Sequence, residues 1–282
     1  MNLHKRSRSS GLLAVAVCNP VALPLALVLF GGSALGQGRG RYVEPAPINF
    51  QDHAGWIQMF DGVSLKGWDG PADLWHVENG NIVVQSIADP QTPPTYLFWK
   101  GGEPKDFEFK MEVKLDGQGA NSGVQFRAQM LGEVPGRPMT KWESLGYQAD
   151  MDNYPITGQG SNVGALIECC AGPRRGTPPR PDRAVAGQTV RTAIAQGEKP
   201  TLVSTFGDTN ELKKIWKVGD WNQIHLIARG RTIIYSINGR LMSILIDDHP
   251  TRFLDHGWLA IQLEGRGANN ASFRNLWIKN LD

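Results

Sequence analysis

TIIYSINGRLMSILI, residues 232–246, is the stretch that decides the fold class. Two runs rich in β-branched residues, Thr232–Ile237 and Leu241–Ile246, flank the dipeptide Asn238-Gly239. The tightest turn between antiparallel strands needs positive φ at both central residues, which Asn and Gly adopt at little cost. The stretch therefore predicts a β-hairpin.

Short alternating runs of this kind fill the chain from Gly55 onward, and turn signals such as Glu78-Asn79-Gly80 and Asp116-Gly117 separate them. The other predicted strands are Asn81–Gln85, Phe107–Leu115, Gly123–Arg127, Gly146–Asp152, Asn162–Glu168, Trp221–Arg229, Trp258–Glu264 and Ser272–Lys279. One helix is predicted at Thr209–Trp216, and the Pro/Arg/Gly-rich residues 171–200 predict a long loop. About ten strands without alternating helices indicate an all-β sandwich or barrel.

Residues 1–36 have the pattern of a secretory signal. Three basic residues come first, the apolar run Gly11–Phe30 follows, and small residues then lead to a predicted cleavage before Gln37. The alternative is an uncleaved membrane anchor, because twenty apolar residues can span a bilayer. Pro20 and Pro24 interrupt the run and favour cleavage. We therefore expect an exported protein that is periplasmic, secreted or at the cell surface.

The domain organisation and the charge balance follow from this division. Residues 37–54 lack periodicity and predict a lead-in linker, so residues 55–282 form the predicted domain.

The first 36 residues hold three of the 29 Lys and Arg and none of the 27 Asp and Glu, which leaves 26 basic against 27 acidic residues. A nearly neutral protein has no general attraction for nucleic acid or anionic membranes. Nucleic-acid binding is therefore not expected. Contact with a membrane is expected only through the signal segment, and only if that segment is not cleaved.

Two of the three cysteines are adjacent, Cys169 and Cys170. Neighbouring Cα atoms lie about 3.8 Å apart, below the usual disulfide range of about 4.4–6.8 Å, so a bridge between them would be strained. Export to an oxidising compartment favours a bridge, and two buried thiols are the alternative.

Three predicted strands share one design, in which apolar residues alternate with polar ones. Because successive side chains point to opposite faces of a strand, each strand has an apolar and a polar face. The polar side carries Gln125 and Arg127 on the first strand, Gln148, Asp150 and Asp152 on the second, and Gln262 and Glu264 on the third.

We expect Arg127, Gln148, Asp150, Asp152 and Glu264 to converge on one exposed sheet face, which is a candidate carbohydrate site. A merely solvated face of an antiparallel sheet is also polar. However, Asp, Gln and Asn are poor strand residues, and carboxylates, amides and guanidinium groups suit the dense hydroxyls of sugars. Trp142 is a candidate stacking partner for a sugar ring, and Asn121 is a further candidate for binding substrate.

Several motifs together resemble the 3-keto-disaccharide hydrolase domain family. They are FDGVSLKGW at 60–68, WHVENG at 75–80, NSGVQFR at 121–127, GYQADMD at 146–152, GDWN at 219–222, ING at 237–239 and FRN at 273–275. The resemblance covers about residues 55–282. It implies an antiparallel β-sandwich of the concanavalin A-like, jelly-roll type with the ligand on the concave sheet face.

The resemblance also implies cleavage of glycosides that carry a ketone at C3, by hydrolysis or by elimination and hydration. A base removes the proton at C2, a cation holds the enolate oxygen, and an acid assists the leaving group. Asp150 or Asp152 is the candidate base, Arg127 the enolate stabiliser and Glu264 the acid. Many relatives carry a histidine where this chain has Gln262–Gly267, which leaves open whether Glu264 replaces it.

Three alternatives stay open at this point. A direct glycosidase would need two carboxylates about 5–9.5 Å apart. Alternatively, Asp150 and Asp152 are ligands of a divalent cation such as Ca²⁺, since oxygen ligands suit hard metals. A non-catalytic carbohydrate-binding or cell-surface adhesion module would need no acid function at all.

Overall fold

The computed structural model describes residues 48–86, 94–136, 141–156, 160–170, 183–193, 195, 198–265 and 267–281. The chain divides into two compact units, Met1–Glu44 and Pro45–Asp282, and the first lies wholly outside the described residues. The predicted signal segment and residues 171–182 of the predicted long loop also lie outside them.

Two β-sheets and one short helix, α1 (Thr209–Lys213), build the described part of the second unit. Sheet A contains ten strands, which are β1 (Ile57–Gln58), β3 (Trp75–Glu78), β4 (Asn81–Ser86), β6 (Phe107–Asp116), β11 (Gln188–Arg191), β12 (Thr201–Thr205), β13 (Asn222–Arg229), β14 (Thr232–Ile237), β15 (Arg240–Ile246) and β17 (Asn269–Asn280). Sheet B contains seven strands, which are β2 (Trp68–Asp69), β5 (Thr95–Trp99), β7 (Ala120–Met130), β8 (Ser144–Asp152), β9 (Leu166–Cys170), β10 (Arg183–Ala184) and β16 (Trp258–Gly265). No helix among the described residues is long and apolar enough to cross a membrane.

The sheets are almost entirely antiparallel. Sheet A has the order β12-β11-β15-β14-β13-β6-β17-β4-β3, with β1 paired to β17, and sheet B has the order β10-β9-β8-β7-β16-β5-β2. Among the described pairs, β11 and β15 alone run parallel. The prediction of an all-β antiparallel sandwich is confirmed.

The predicted hairpin forms as the sequence indicates. Asn238 and Gly239 have φ of 50° and 77° and connect β14 to β15, with Ile237 opposite Arg240. Asn79 and Gly80 have the same values between β3 and β4. Local turn chemistry therefore fixes the register of two hairpins.

The hydrophobic core lies between the inner faces of the two sheets. Phe109, Met111 and Val113 of β6 face Val124 and Met151 of sheet B in one continuous cluster, and all five are fully buried. The alternate residues of β6 point outward from sheet A, because successive side chains change faces. The sandwich thus leaves two outer faces, and these differ in chemistry.

Several elements differ from the sequence prediction. Residues 171–200, predicted as one long loop, contain β10 and β11, and β11 is held in sheet A by pairing with β12 and β15. β5 was not predicted, because its residues TYLFW are buried on both faces and show no alternation. β9 begins only at Leu166, since Gly164 turns the chain with φ of 79°. The helix ends at Lys213, and i→i+3 bonds from Lys214, Ile215 and Trp216 tighten the chain beyond it.

Residues 48–54, which the sequence assigns to the lead-in, pack on the outer face of sheet A. The Lys110 ammonium donates to the carbonyls of Phe50 and Asp52 at 3.3 Å and 2.5 Å. The His53 ring stacks on Trp277 with centroids 3.8 Å apart. The end of the lead-in therefore joins the sandwich.

Candidate functional site

The outer face of sheet B, the side turned away from sheet A, gathers most of the predicted polar residues. The strands β8, β7, β16 and β5 are neighbours in that order, which the sequence argument had to assume. Cross-strand pairing aligns their outward residues in three rows. From β8 towards β5 the rows are Asp152, Asn121 and Glu264; Asp150, Gly123, Gln262 and Tyr96; and Gln148, Gln125, Ala260 and Phe98.

A chain of hydrogen bonds through two amides connects two of the carboxylates. Gln148 Nε2 donates to Asp150 Oδ1 and to Gln262 Oε1, both at 3.0 Å. Gln262 Nε2 in turn donates to Glu264 Oε2 at 3.1 Å and to the Tyr96 hydroxyl at 3.4 Å. The amide orientations are mutually consistent, because a flipped Gln262 would place its oxygen against the Glu264 carboxylate. The network thus fixes both carboxylates relative to each other.

Gly123 makes room for the centre of this network. A Cβ at this position would lie 2.5 Å from Gln148 Nε2 and 2.7 Å from Gln148 Cδ, which is too close for any real contact. Only glycine therefore lets the Gln148 side chain lie flat across β7 and reach Gln262.

Asp150 is a strongly perturbed acid of this face. The side chain is buried, with 2% of its surface exposed, and burial raises its pKa from 3.8 to about 8. The Gln148 hydrogen bond lowers this pKa, whereas the charges of Asp152 and Glu264 raise it further. Asp150 is therefore mostly a neutral carboxylic acid at pH 7, and a strongly shifted acid in a cluster of polar groups is typical of a functional site.

Asp152 has a different environment from Asp150, although the two lie on the same face. Its carboxylate accepts the backbone N–H of Tyr154 at 3.0 Å and that of Asn162. Burial raises its pKa, while these two backbone bonds and the Lys213 charge lower it. Asp152 therefore holds the ends of the connection between β8 and β9, a structural task that competes with catalysis.

The remaining predicted binding residues line the rest of the rows. Gln125 accepts a hydrogen bond from the Ser144 hydroxyl, and its Nε2 lies 3.8 Å from Cys169 Sγ. Asn121 lies between Asp152 and Glu264, and its Oδ1 is buried without a hydrogen-bond partner among the described residues. The Asn121 Oδ1 atom is therefore suited to accept a hydrogen bond from a donor group of a ligand.

An apolar area adjoins the polar rows on the same face. Tyr96, Phe98, Ala128 and Ala260 form a buried cluster separate from the main core, and Met130, Trp142 and Trp258 pack against it. Trp142 donates from Nε1 to Asp69 Oδ1 at 3.2 Å, which fixes its indole. Sequence reasoning missed Tyr96, because β5 is buried on both faces and lacks the alternation that marked the other strands.

The expectation that this face is exposed is wrong. Gln125, Gln148, Asp150, Asp152 and Gln262 are each at most 3% exposed, and Glu264 is half-buried. Alternation identifies the two faces of a strand but carries no information on what covers them. The burial strengthens electrostatic interactions within the face, because the local dielectric is lower than that of water.

The placement of Arg127 on this face is also wrong. Its guanidinium donates to the carbonyls of Lys105, Gly230 and Leu254, and it pairs with Asp106 at 3.1 Å. Lys105 and Asp106 precede β6, and Gly230 follows β13, so the side chain points towards sheet A and away from the polar rows. Arg127 is a buried structural residue that links neighbouring backbone segments, and it cannot stabilise an enolate on the outer face.

A β-bulge is the physical reason. The register of β7 shifts between Phe126 and Gln129, and Arg127 has φ of 47°. The extra residue interrupts the alternation, so the side chains of Arg127 and Gln125 do not point to the same face of the sheet. Two glycines mark the bulge in the sequence, since a Cβ at Gly146 or Gly257 would lie 2.9 Å or 2.6 Å from backbone atoms of β7.

The proposed metal ligands gain no support from their surroundings. The described residues include no group of three or more His, Cys, Asp and Glu side chains that could hold a metal ion. Asp152 already accepts two backbone N–H groups, and Asp150 is mostly neutral at pH 7. A divalent cation such as Ca²⁺ at Asp150 and Asp152 stays a prediction.

Cys169 is disulfide-bonded. It faces outward beside Gln125, opposite Gly146 of β8. The side chains of Cys18 and Cys170 lie outside the described residues.

Several solved structures are similar in fold. A candidate glycosyl hydrolase from Parabacteroides distasonis has 19% sequence identity and a TM-score of 0.46 over 81% of this chain and 95% of its own. The carbohydrate-binding module CBM66 from Bacillus subtilis has 10% identity and a TM-score of 0.45 over 79% of this chain and 100% of its own. A Bacillus subtilis protein of unknown function with a galectin-like fold has 12% identity and a TM-score of 0.42, covering 85% and 98% of the two chains.

No curated protein matches the chain in sequence. The model of one protein family does match it, over residues 55–279, which is most of the chain and nearly all of the sandwich. The matched range includes every residue of the three rows. The chain therefore belongs to the 3-keto-alpha-glucoside-1,2-lyase-like domain family.

Proposed function

We propose that the protein cleaves glycosides of 3-keto sugars at the outer face of sheet B, by elimination followed by hydration. The observation that carries the proposal is Asp150, a buried acid with a pKa of about 8 that is linked through two amides to a second carboxylate. Two carboxyl groups in different environments are the usual basis for separate acid and base roles. Membership of the family supports the choice of substrate class.

The two roles follow from the environments of the carboxyl groups. Glu264, which is half-buried at the edge of the rows, takes the proton from C2 of the keto sugar. The electron pair of that C–H bond forms the enolate, which then expels the C1 substituent and leaves a C1–C2 double bond. Asp150, which carries its proton at pH 7, gives it to the departing oxygen.

The second half of the reaction reverses these steps. Water adds to C1, Asp150 recovers a proton from that water, and C2 regains a proton from Glu264. The net result is hydrolysis with no oxidant or reductant consumed. The sequence alone suggested Asp150 or Asp152 as base and Glu264 as acid, and the deep burial of Asp150 favours Asp150 as the acid and Glu264 as the base.

The apolar area is suited to the rest of the substrate. Trp142 and Trp258 lie beside the polar rows and are only partly buried, so their rings are available to the apolar C–H face of a sugar. The carbohydrate would therefore extend from the carboxylates towards β5.

The test compares a 3-keto-glucoside with its unoxidised parent glucoside, using the purified protein and measuring the released aglycone. We expect release from the keto-glucoside only, and we expect Glu264→Gln to reduce it by roughly 10²–10⁴-fold, as for loss of a general base. Equal release from the parent glucoside would indicate a direct glycosidase. Binding of both compounds without release would indicate a carbohydrate-binding module.

Export is part of the same proposal. The signal-like start of the sequence and the disulfide at Cys169 both favour an oxidising compartment outside the cytoplasm. Mass spectrometry of the native protein checks this, since removal of residues 1–36 is expected.

A further inference from the structure

The proposed reaction requires a group that stabilises the enolate oxygen at C3. Arg127, the residue that the sequence suggested for this task, is bonded to carbonyls at the end of the sandwich. The group must therefore come from another residue of the outer face, and it must lie close to the base that acts at C2.

We propose that the Tyr96 hydroxyl donates a hydrogen bond to the C3 oxygen of the keto sugar and of the enolate, which makes Tyr96 a catalytic residue. The inference rests on the proposed function and adds to it a residue on β5 that no sequence motif indicated. It places the donor on the side of Gln262 opposite to Asp150.

The hydrogen of this hydroxyl is available to a ligand. The Tyr96 oxygen accepts a hydrogen bond from Gln262 Nε2, and Gln262 has to donate there because its Oε1 accepts from Gln148. No hydrogen bond among the described residues uses the Tyr96 hydrogen itself. A hydroxyl whose oxygen already accepts a bond is polarised and donates more strongly.

The distance to the base fits the reaction. Gln262 Nε2 lies 3.4 Å from the Tyr96 hydroxyl and 3.1 Å from Glu264 Oε2, so these two oxygens are at most about 6.5 Å apart. C2 and the C3 oxygen of a keto sugar are separated by two bonds. A base about 3–3.5 Å from C2 and a donor about 2.7 Å from the C3 oxygen therefore span this gap together.

Tyr96 also stays a proton donor throughout the working range of pH. The side chain is 5% exposed, and burial together with the charge of Glu264 raises its pKa well above the ordinary value. A neutral donor in a buried site stabilises a developing oxyanion without attracting a counter-ion or bulk water.

Tyr96→Phe tests the proposal, because it removes one oxygen and keeps the ring in the cluster with Phe98 and Ala260. We expect kcat on the keto-glucoside to fall by roughly 10²–10³-fold, the loss seen when an oxyanion donor is removed, with little change in KM. We also expect a larger primary isotope effect with substrate deuterated at C2, since enolate formation then limits the rate. A merely structural role for Tyr96 would not raise the isotope effect.

The matched control is Tyr147→Phe, the same change on the inner face. The Tyr147 hydroxyl bonds to Asp247 and accepts the backbone N–H of Leu254, so its loss should lower the melting temperature and leave kcat and the isotope effect unchanged. A Tyr96→Phe variant that keeps half or more of the wild-type kcat, or shows an unchanged isotope effect, overturns the assignment. If the wild-type protein itself does not convert the keto-glucoside, the proposed function fails, and this inference fails with it.

Discussion

The outer faces of the two sheets both carry carboxylates, but the partners of these carboxylates differ. On sheet A, Glu112 of β6 pairs with Arg274 of β17 at 2.8 Å and accepts a hydrogen bond from Asn275 at the same distance. On sheet B, Asp150 and Glu264 receive hydrogen bonds from the amides of Gln148 and Gln262. Acids on the first face are neutralised by cations, whereas acids on the second are held by neutral donors.

This difference distinguishes a surface that stabilises the fold, on sheet A, from a candidate functional site, on sheet B. The pairing of Glu112 with a partly exposed arginine is a surface salt bridge, which contributes little to stability. Amides orient a carboxyl group without neutralising it, so burial controls the titration of Asp150 and raises its pKa to about 8. Polar alternation was common to both faces, and only the pairing of the charges distinguishes them.

The strongest test of the contrast is Asp150→Asn, because activity and stability should change in opposite directions. We expect turnover to fall by roughly 10²–10⁴-fold through loss of the general acid. The free energy of unfolding should rise, since burial of the Asp150 carboxylate opposes folding. The pKa of Asp150 is raised in the folded protein from 3.8 to about 8, so this gain is absent below pH 4, grows between pH 4 and pH 8 and is then constant.

Urea titration at pH 4, 6 and 8 measures the stability of Asp150→Asn, and wild-type turnover across the same range should decline as pH rises through about 8. A variant that is less stable than the wild type at pH 8 would show that the Asp150 carboxylate supports the fold. The site would then resemble the outer face of sheet A.

The two paired arginines offer a second test, on stability alone. The Arg127 side chain is fully buried and donates to the carbonyls of Lys105, Gly230 and Leu254, whereas the Arg274 side chain is 39% exposed. Arg127→Met leaves those partners unsatisfied and should lower the free energy of unfolding by about 3 kcal/mol. Arg274→Met should lower it by less than about 1 kcal/mol. If urea titrations show equal losses of unfolding free energy for the two variants, the assignment of Arg127 as a buried structural residue is wrong.

The smallest expected effect concerns the support of the amide chain. Gly123→Ala would displace the Gln148 side chain from β7, and we expect kcat/KM for the keto-glucoside to fall by about tenfold, the equivalent of one lost hydrogen bond. Glu112→Gln is the matched control on sheet A, where turnover should be unchanged. An effect of Glu112→Gln as large as that of Gly123→Ala would remove the functional distinction between the two faces.

The sequence by itself determined the class of fold and the division of each strand into two faces. Asn238-Gly239 specified a hairpin turn through its backbone preferences, and alternation in β8 assigned Met151 to the core and Asp150 to the opposite face. These properties are local, because a turn depends on two residues and alternation on the geometry of a single strand.

The tertiary structure alone decided which residues meet and how they titrate. The bulge in β7 arises from pairing with β8 and β16, and it removed Arg127 from the face where alternation placed it. The pairing of β5 with β16 brought Tyr96 beside Gln262, and burial gave Asp150 its raised pKa. Register and burial depend on residues that are distant in the sequence, so no pattern within one strand could reveal them.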